Sequence, residues 1–188
     1  LGDLEKVNSE RVRRSAALAI NETKKQKKES VTFWIGKKFN QVPSSLGQAI
    51  AEGAVMSSYS LETFKQTSDV KVKRITFHSD PKVMNGITIG VAIGNGNCMA
   101  RRLQDTPANK MRPRDMVREA RAISKTSSNI TLKIIDEAEM KKLGMGSLLS
   151  VSSGSIEPAY LIHLTYRPKT KAKKKVCFVG KGLTFDSG

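Results

Sequence analysis

Three glycines recur at intervals of four residues in a stretch whose sequence predicts a long helix. Asp80-Pro81 is typical of a helix start, since an Asp side chain accepts hydrogen bonds from free backbone N–H groups and Pro fits the first turn. The helix predicted from there to about Gln104 contains Gly86, Gly90 and Gly94, each costing about 1 kcal/mol relative to alanine. Because residues four apart share one face of a helix, we expect another helix or backbone segment to pack closely against these glycines.

A phosphate-binding loop is the alternative explanation for part of this stretch. Gly94-Asn95-Gly96 supplies two glycines at the spacing of a dinucleotide-binding loop, but Met99 stands where the third belongs. The pattern therefore favours helix packing.

Helical and strand patterns alternate in the first half of the chain. Apolar residues at three- to four-residue steps predict a helix over about 8–26, and the β-branched and aromatic run Val31–Ile35 predicts a buried strand of a parallel sheet. A second helix is predicted from Ser45 to Tyr59 and a second strand from Val70 to His78. This alternation is typical of an α/β domain, whose beginning we expect to be missing from the sequence.

A second series of elements follows Pro107. Four are predicted in order: a basic helix from Pro113, a strand over Ile130–Ile135, a short helix capped by Asp136 and a strand over Tyr160–Tyr166. The apolar run Val176–Val179 is then predicted to be a buried strand that leads directly into Gly180-Lys181-Gly182. We therefore expect a second α/β unit that begins near Pro107 and is unfinished at Gly188.

Composition excludes several classes of protein. At 38% hydrophobic residues the chain is too apolar for a disordered tail, and its longest apolar stretch, Ile87–Ile93, is far shorter than the ~20 residues that span a bilayer. The first residues lack the features of a secretory signal, so we expect a cytoplasmic protein. Cys98 and Cys177 have no second metal-ligand residue at a suitable spacing, and both are predicted to be reduced thiols. A chain that starts at Leu1 rather than Met also suggests a piece of a longer protein.

The net charge of +16 raises the possibility of a nucleic-acid partner. Most of the excess lies in short runs at Lys24–Lys28, Arg101-Arg102 and Lys169–Lys175. However, the aromatic residues lie mostly at predicted core positions, so the sequence contains no evident platform for base stacking. A DNA-binding or non-catalytic structural subunit is therefore the alternative function, and it would use the basic surface.

The residues with the clearest potential to form a functional site lie at the end of the chain. The glycine-rich segment after Val179 is expected to deliver Lys181 and Asp186 to the carboxyl end of a sheet, where open α/β folds build their sites. An amine and a carboxylate that converge there could form a salt bridge. They could also bind a metal, if burial and nearby cations keep the lysine neutral. Composition and spacing leave both possibilities open.

Three segments resemble the leucine aminopeptidase, or cytosol aminopeptidase, family of dinuclear metallopeptidases. The run Val179-Gly180-Lys181-Gly182-Leu183-Thr184-Phe185-Asp186-Ser187-Gly188 is similar to the family's first metal-binding segment. Ala100–Asn109 resembles its hinge before the catalytic domain, and Gly144–Ser155 resembles a later Met-Gly-x-Leu-Leu segment that ends in Gly-Ser. The resemblance is clear from about Ile87 onward.

The resemblance implies an α/β fold in three parts. Residues 1–83 would be a partial N-terminal α/β domain of macro-like type, and residues 84–106 a linker helix. Residues 107–188 would begin a mixed-sheet α/β catalytic domain of the metallopeptidase, left incomplete.

The resemblance also implies a site and an activity. Lys181 would bind one metal and Asp186 would bridge two divalent ions, Mn2+ or Zn2+, which activate a water that attacks the peptide carbonyl. The substrates would be peptides with a free N-terminus, leucine preferred, and the intact protein a cytoplasmic homo-hexamer. The family's other ligands and its catalytic residues would lie beyond Gly188, so we assign no catalytic residue here and expect this chain alone to be inactive.

Overall fold

The computed structural model describes residues 8–35, 44–61, 70–170 and 173–185. The chain divides into two units, Leu1–Asp105 and Thr106–Gly188. Both mix helices with small sheets, so the predicted α/β class is confirmed. Among the described helices, none is long and apolar enough to cross a bilayer.

The first unit alternates helices and strands as its sequence predicts. Its elements are α1 (Ser9–Lys25), β1 (Ser30–Trp34), α2 (Ser44–Ser58), β2 (Arg74–His78) and α3 (Pro81–Asp105). The Asn8 side chain caps α1 by accepting a hydrogen bond of 2.9 Å from the backbone N–H of Arg11. The strands pair in parallel with Ser30 opposite Arg74 and Trp34 opposite His78. β2 is therefore shorter than the predicted strand from Val70, because it extends only as far as its partner does.

One face of this sheet packs on helices and the other does not. Val31 and Phe33 of β1, with Phe77 opposite, pack against the buried residues of α1 and α2, and the two Phe rings stack with centroids 5.5 Å apart. Trp34 points to the other face and is 72% exposed. The parallel pairing of Val31–Ile35 is confirmed, but its predicted burial is wrong for one face, since α1 and α2 cover only one side.

The glycine face of α3 packs directly on α2, as its spacing predicts. A methyl group on Gly86 would collide with the carbonyl oxygen of Ser44, and one on Gly90 with that of Gln48. A methyl group on Gly94 would lie 2.8 Å from Cβ of Val55. The absence of side chains on α3 is what lets the two helices come this close.

Helix α3 belongs to the core of the first unit. Val83 and Ile87 are almost fully buried, and they form one apolar cluster with Ile35 and Ala51. The segment 84–106, expected as a linker helix, packs its glycine face on α2.

The second unit is built around an antiparallel pair of strands. Its elements are α4 (Pro113–Ser124), β3 (Ile130–Ile135), α5 (Glu137–Lys142), α6 (Gly146–Ser152) and β4 (Leu161–Tyr166). Ile134 lies opposite Ile162 across the pair. Asp136 caps α5 as predicted, since its carboxylate accepts a hydrogen bond of 2.9 Å from the N–H of Glu139. Met140 of α5 is completely buried.

The prediction of a buried strand at Val176–Val179 is wrong. These residues form no regular secondary structure, and Phe178 and Val179 are 93% and 94% exposed. A strand forms only where a neighbouring edge accepts its backbone hydrogen bonds. Within the described part of the second unit, the only paired strands are β3 and β4.

Candidate active site

The two proposed metal ligands lie at the end of the second unit. Lys181 is exposed in the segment 176–185, which has no regular secondary structure. Asp186 lies outside the described residues, so the pairing of Lys181 with Asp186 stays a prediction.

The second unit contains a cavity of about 360 Å³, and its wall includes the two residues that directly precede Asp186 in the chain. Its wall comprises Ala108, Asn109, Arg112 and Pro113 at the approach to α4, Ser155, Ile156 and Glu157 after α6, and Thr184 and Phe185. Each of these three groups of residues includes part of one of the three segments that resemble a known family, namely Ala100–Asn109, Gly144–Ser155 and Val179–Gly188. The fold therefore brings the three motifs to one place, although tens of residues separate them along the chain.

An ion pair connects two of these segments. Nη1 of Arg112 donates to Oε1 of Glu157 at 3.0 Å, and Nη2 of Arg114 lies 3.6 Å from the same oxygen. The Glu157 side chain is only 22% exposed, so water screens the pair less than it would at an open surface. Two guanidinium groups facing one carboxylate leave this part of the wall with excess positive charge.

Short-range hydrogen bonds fix the loop that carries Glu157. The hydroxyl of Ser155 donates to the carbonyl oxygen of Glu157 at 3.0 Å and accepts from its backbone N–H at 3.1 Å. The loop therefore presents Glu157 to Arg112 in one orientation. Sequence reasoning missed this pair, because its members are 45 positions apart and neither belongs to a recognisable motif.

The first turn of α4 holds the other side of the cavity. The backbone N–H of Arg112 donates to Oδ2 of Asp115 at 3.0 Å, and Arg118 forms an ion pair of 2.8 Å with the same carboxylate. The bond from Arg112, with a smaller contribution from Arg118, lowers the pKa of Asp115. Asp115 therefore stays charged at neutral pH and fixes the start of the helix.

The described residues do not form a metal site by themselves. They contain no group of three His, Cys, Asp or Glu side chains arranged to hold an ion. Glu157, the acidic residue of the cavity wall, is already occupied by arginine. Any metal bound near Lys181 would need further ligands.

Both cysteines are free thiols, as predicted. Cys177 is exposed, whereas Cys98 is half-buried with its Sγ 3.6 Å from the carbonyl oxygen of Val55. Burial raises the pKa of the Cys98 thiol. Among the described side chains, neither cysteine belongs to a group of three or more His, Cys, Asp or Glu residues that could hold a metal ion.

Two protein-family models match the chain. The N-terminal domain of the cytosol aminopeptidase family matches residues 1–68, and the catalytic domain of the same family matches residues 98–188. The two matches together account for more than half of the sequence.

Individual proteins give the same result. A probable cytosol aminopeptidase of Trichormus variabilis is 35% identical over 194 residues, a match that covers all of this chain and 38% of that protein. A solved structure of a tomato leucine aminopeptidase variant superposes with a TM-score of 0.84 at 26% identity, covering 97% of this chain and 38% of that one. The bottromycin maturation enzyme BotP in complex with Mn shares the fold, with a TM-score of 0.74 at 22% identity, over 87% of this chain and 34% of that one.

The chain spans a little over a third of the length of these relatives. The similarity therefore concerns the N-terminal domain and the beginning of the catalytic domain.

Proposed function

The chain belongs to the cytosol aminopeptidase family, and from this membership we propose that the whole protein releases N-terminal residues from peptides, with leucine preferred. The observation that carries the proposal is the cavity of the second unit, where all three family motifs contribute to one wall. A site assembled from distant segments of one chain is typical of an enzyme whose motifs act together.

Two divalent ions, Mn2+ or Zn2+, are part of the proposal. Lys181 and Asp186 would be ligands, on the strength of the segment that runs from Val179 to Gly188. When bound, the ions would supply an activated water for attack on the peptide carbonyl. Inactivity of the 188-residue chain on its own is part of the same proposal.

The cavity wall would position this segment for the reaction. The Arg112–Glu157 ion pair holds the loop after α6 against the start of α4, and Thr184 and Phe185 complete the same wall immediately before Asp186. We assign Arg112 and Glu157 a positioning role only. The intact protein would act in the cytoplasm as a homo-hexamer.

The test compares the polypeptide encoded by the complete reading frame with the 188-residue chain. We expect the former to hydrolyse leucine amide in the presence of Mn2+ or Zn2+, to lose that activity with EDTA and to leave N-acetyl-leucine amide intact. The 188-residue chain should show no hydrolysis. Inactivity of the complete protein with both metals would contradict the aminopeptidase proposal, and hydrolysis by the shorter chain would contradict its expected inactivity.

Variants of the complete protein test the metal ligands. Lys181→Ala and Asp186→Ala should each abolish hydrolysis and reduce the number of Mn2+ ions bound at equilibrium. Lys175→Ala is the matched control, because Lys175 is also an exposed lysine and lies six residues before Lys181. If Lys181→Ala binds the metals as tightly as the control, Lys181 is not a ligand.

DNA binding through the basic surface is the second candidate. The observation that favours it is the formal charge of +16, part of which lies on exposed lysines at 169 and 173–175. DNA affinity that falls steeply with salt and persists in the Lys181→Ala variant would support this role. An affinity that is negligible at low salt would eliminate it.

A further inference from the structure

A second cavity, of about 220 Å³, lies in the first unit, away from the proposed peptidase segment. It lies between α1 and α2 at the carboxyl end of β1, with Trp34 on its wall and Val83 of α3 closing one side. In open α/β folds the carboxyl ends of parallel strands are the common place for a bound ligand. The position of this cavity is therefore typical of a ligand-binding site.

The cavity wall is almost entirely apolar. It includes the buried side chains of Val12, Ala16 and Leu46, and no ionisable residue is among the described residues that line it. Its one aliphatic hydroxyl, on Ser15, already donates to the carbonyl oxygen of Arg11 at 2.9 Å. A charged ligand would lose its hydration there without finding a partner, so the wall selects against ions and free amino acids.

The helices around the cavity cannot move together to close it. A methyl group on Gly47 of α2 would lie 2.6 Å from Cγ1 of Val83, and one on Gly53 would collide with the backbone of Arg13 on α1. Arg13 also donates two hydrogen bonds, of 3.0 and 2.8 Å, to the buried carboxylate of Glu52. Because α2 already touches both neighbouring helices, the space between them is fixed by the fold.

We propose that this cavity binds a small uncharged apolar molecule, either an aromatic ring or a branched aliphatic group. An apolar cavity of about 150 Å³ in another protein stays dry and takes up benzene, so a space of this size suits a ligand of roughly six to ten non-hydrogen atoms. The ligand would pack between α1 and α2 beside Trp34, whose ring lies against His78 on the other face of the sheet. This binding site is independent of the proposed aminopeptidase activity.

Trp34 makes the proposal directly testable, because it is the only tryptophan in the chain and it lines the cavity. Toluene is titrated into the 188-residue chain while tryptophan emission and the backbone amide NMR spectrum are recorded. We expect a saturable change in Trp34 emission, with amide shifts confined to the lining segments of α1, β1 and α2.

Two variants fill the cavity, and a third serves as the control. Ala16→Leu and Ser15→Leu place a larger side chain in the wall and should each weaken toluene binding at least tenfold. Leu18→Ala changes a residue of the same helix that is 67% exposed and does not line the cavity, so it should bind like the parent. Circular dichroism checks that each variant is folded. Because Ser15 is only half-buried, Ser15→Leu should fold and remains informative even if Ala16→Leu does not fold.

Absence of a saturable signal up to the solubility limit of toluene would overturn the proposal. Binding that both filling variants leave unchanged would do the same, since the ligand would then occupy another place.

Discussion

Replacing Gly90 by alanine should destabilise the first unit, even though alanine is the better helix former. The change adds about 1 kcal/mol of helix propensity. Against this, the new methyl carbon would collide with the carbonyl oxygen of Gln48 and lie 2.8 Å from Cβ of Ala51. Both obstacles belong to the rigid body of α2, and separating two packed helices typically costs about 1 to 3 kcal/mol. We therefore expect a net loss of up to about 2 kcal/mol in the free energy of unfolding.

Gly96→Ala is the matched control for this prediction. It makes the same chemical change in the same helix, but a methyl group on Gly96 meets no atom within 4 Å. We expect it to raise the free energy of unfolding by about 0.5 to 1 kcal/mol. Urea unfolding followed by the emission of Trp34, which lies in the first unit, measures both effects. The packing argument fails if the two substitutions shift stability in the same direction.

Three further predictions concern other side chains. Arg13→Ala should cost about 1 to 3 kcal/mol, because it leaves the buried carboxylate of Glu52 without its guanidinium partner, and urea unfolding measures the loss. The pKa of Asp115 is lower in the folded protein than its ordinary value of 3.8. Its charge therefore stabilises the second unit at pH values above 3.8, and this stabilisation is lost as the pH falls through the pKa of the folded state. Asp115→Asn should therefore lose less stability than the parent between about pH 5 and pH 2, as followed by circular dichroism; an unchanged acid dependence would refute the assignment. Cys177 should react with a disulfide reagent at least tenfold faster than Cys98, because burial shields the Cys98 thiol and raises its pKa; equal rates by mass spectrometry would contradict this.

Local signals predicted most of the secondary structure. Helix ends were placed within a residue or two because the side chains that mark them act over one turn, as Asn8 and Asp136 do. The glycine face of α3 was also predictable, since three interior glycines at a spacing of four are costly unless a partner approaches them. These features depend on residues that are close together in the chain.

The candidate site was predicted only in part. The motif containing Lys181 and Asp186 identifies a family segment, but Lys181 lies on an exposed stretch without regular secondary structure, and Asp186 lies outside the described residues. The cavity that joins three motifs, and the Arg112–Glu157 pair in its wall, depend on how distant loops fold together. No periodicity or spacing in the sequence encodes such a meeting.

The sequence by itself determined the order of most helices and strands, the close packing of α3 and the family to which the chain belongs. Propensity, capping and motif identity are written in neighbouring residues, so these conclusions needed no coordinates. Only the tertiary structure decided which strand face is covered, that Val176–Val179 pairs with no strand in the described part of the chain, and where the cavities of about 220 and 360 Å³ lie. An apolar segment lowers its free energy when it is buried, but the residues that cover it come from elsewhere in the fold.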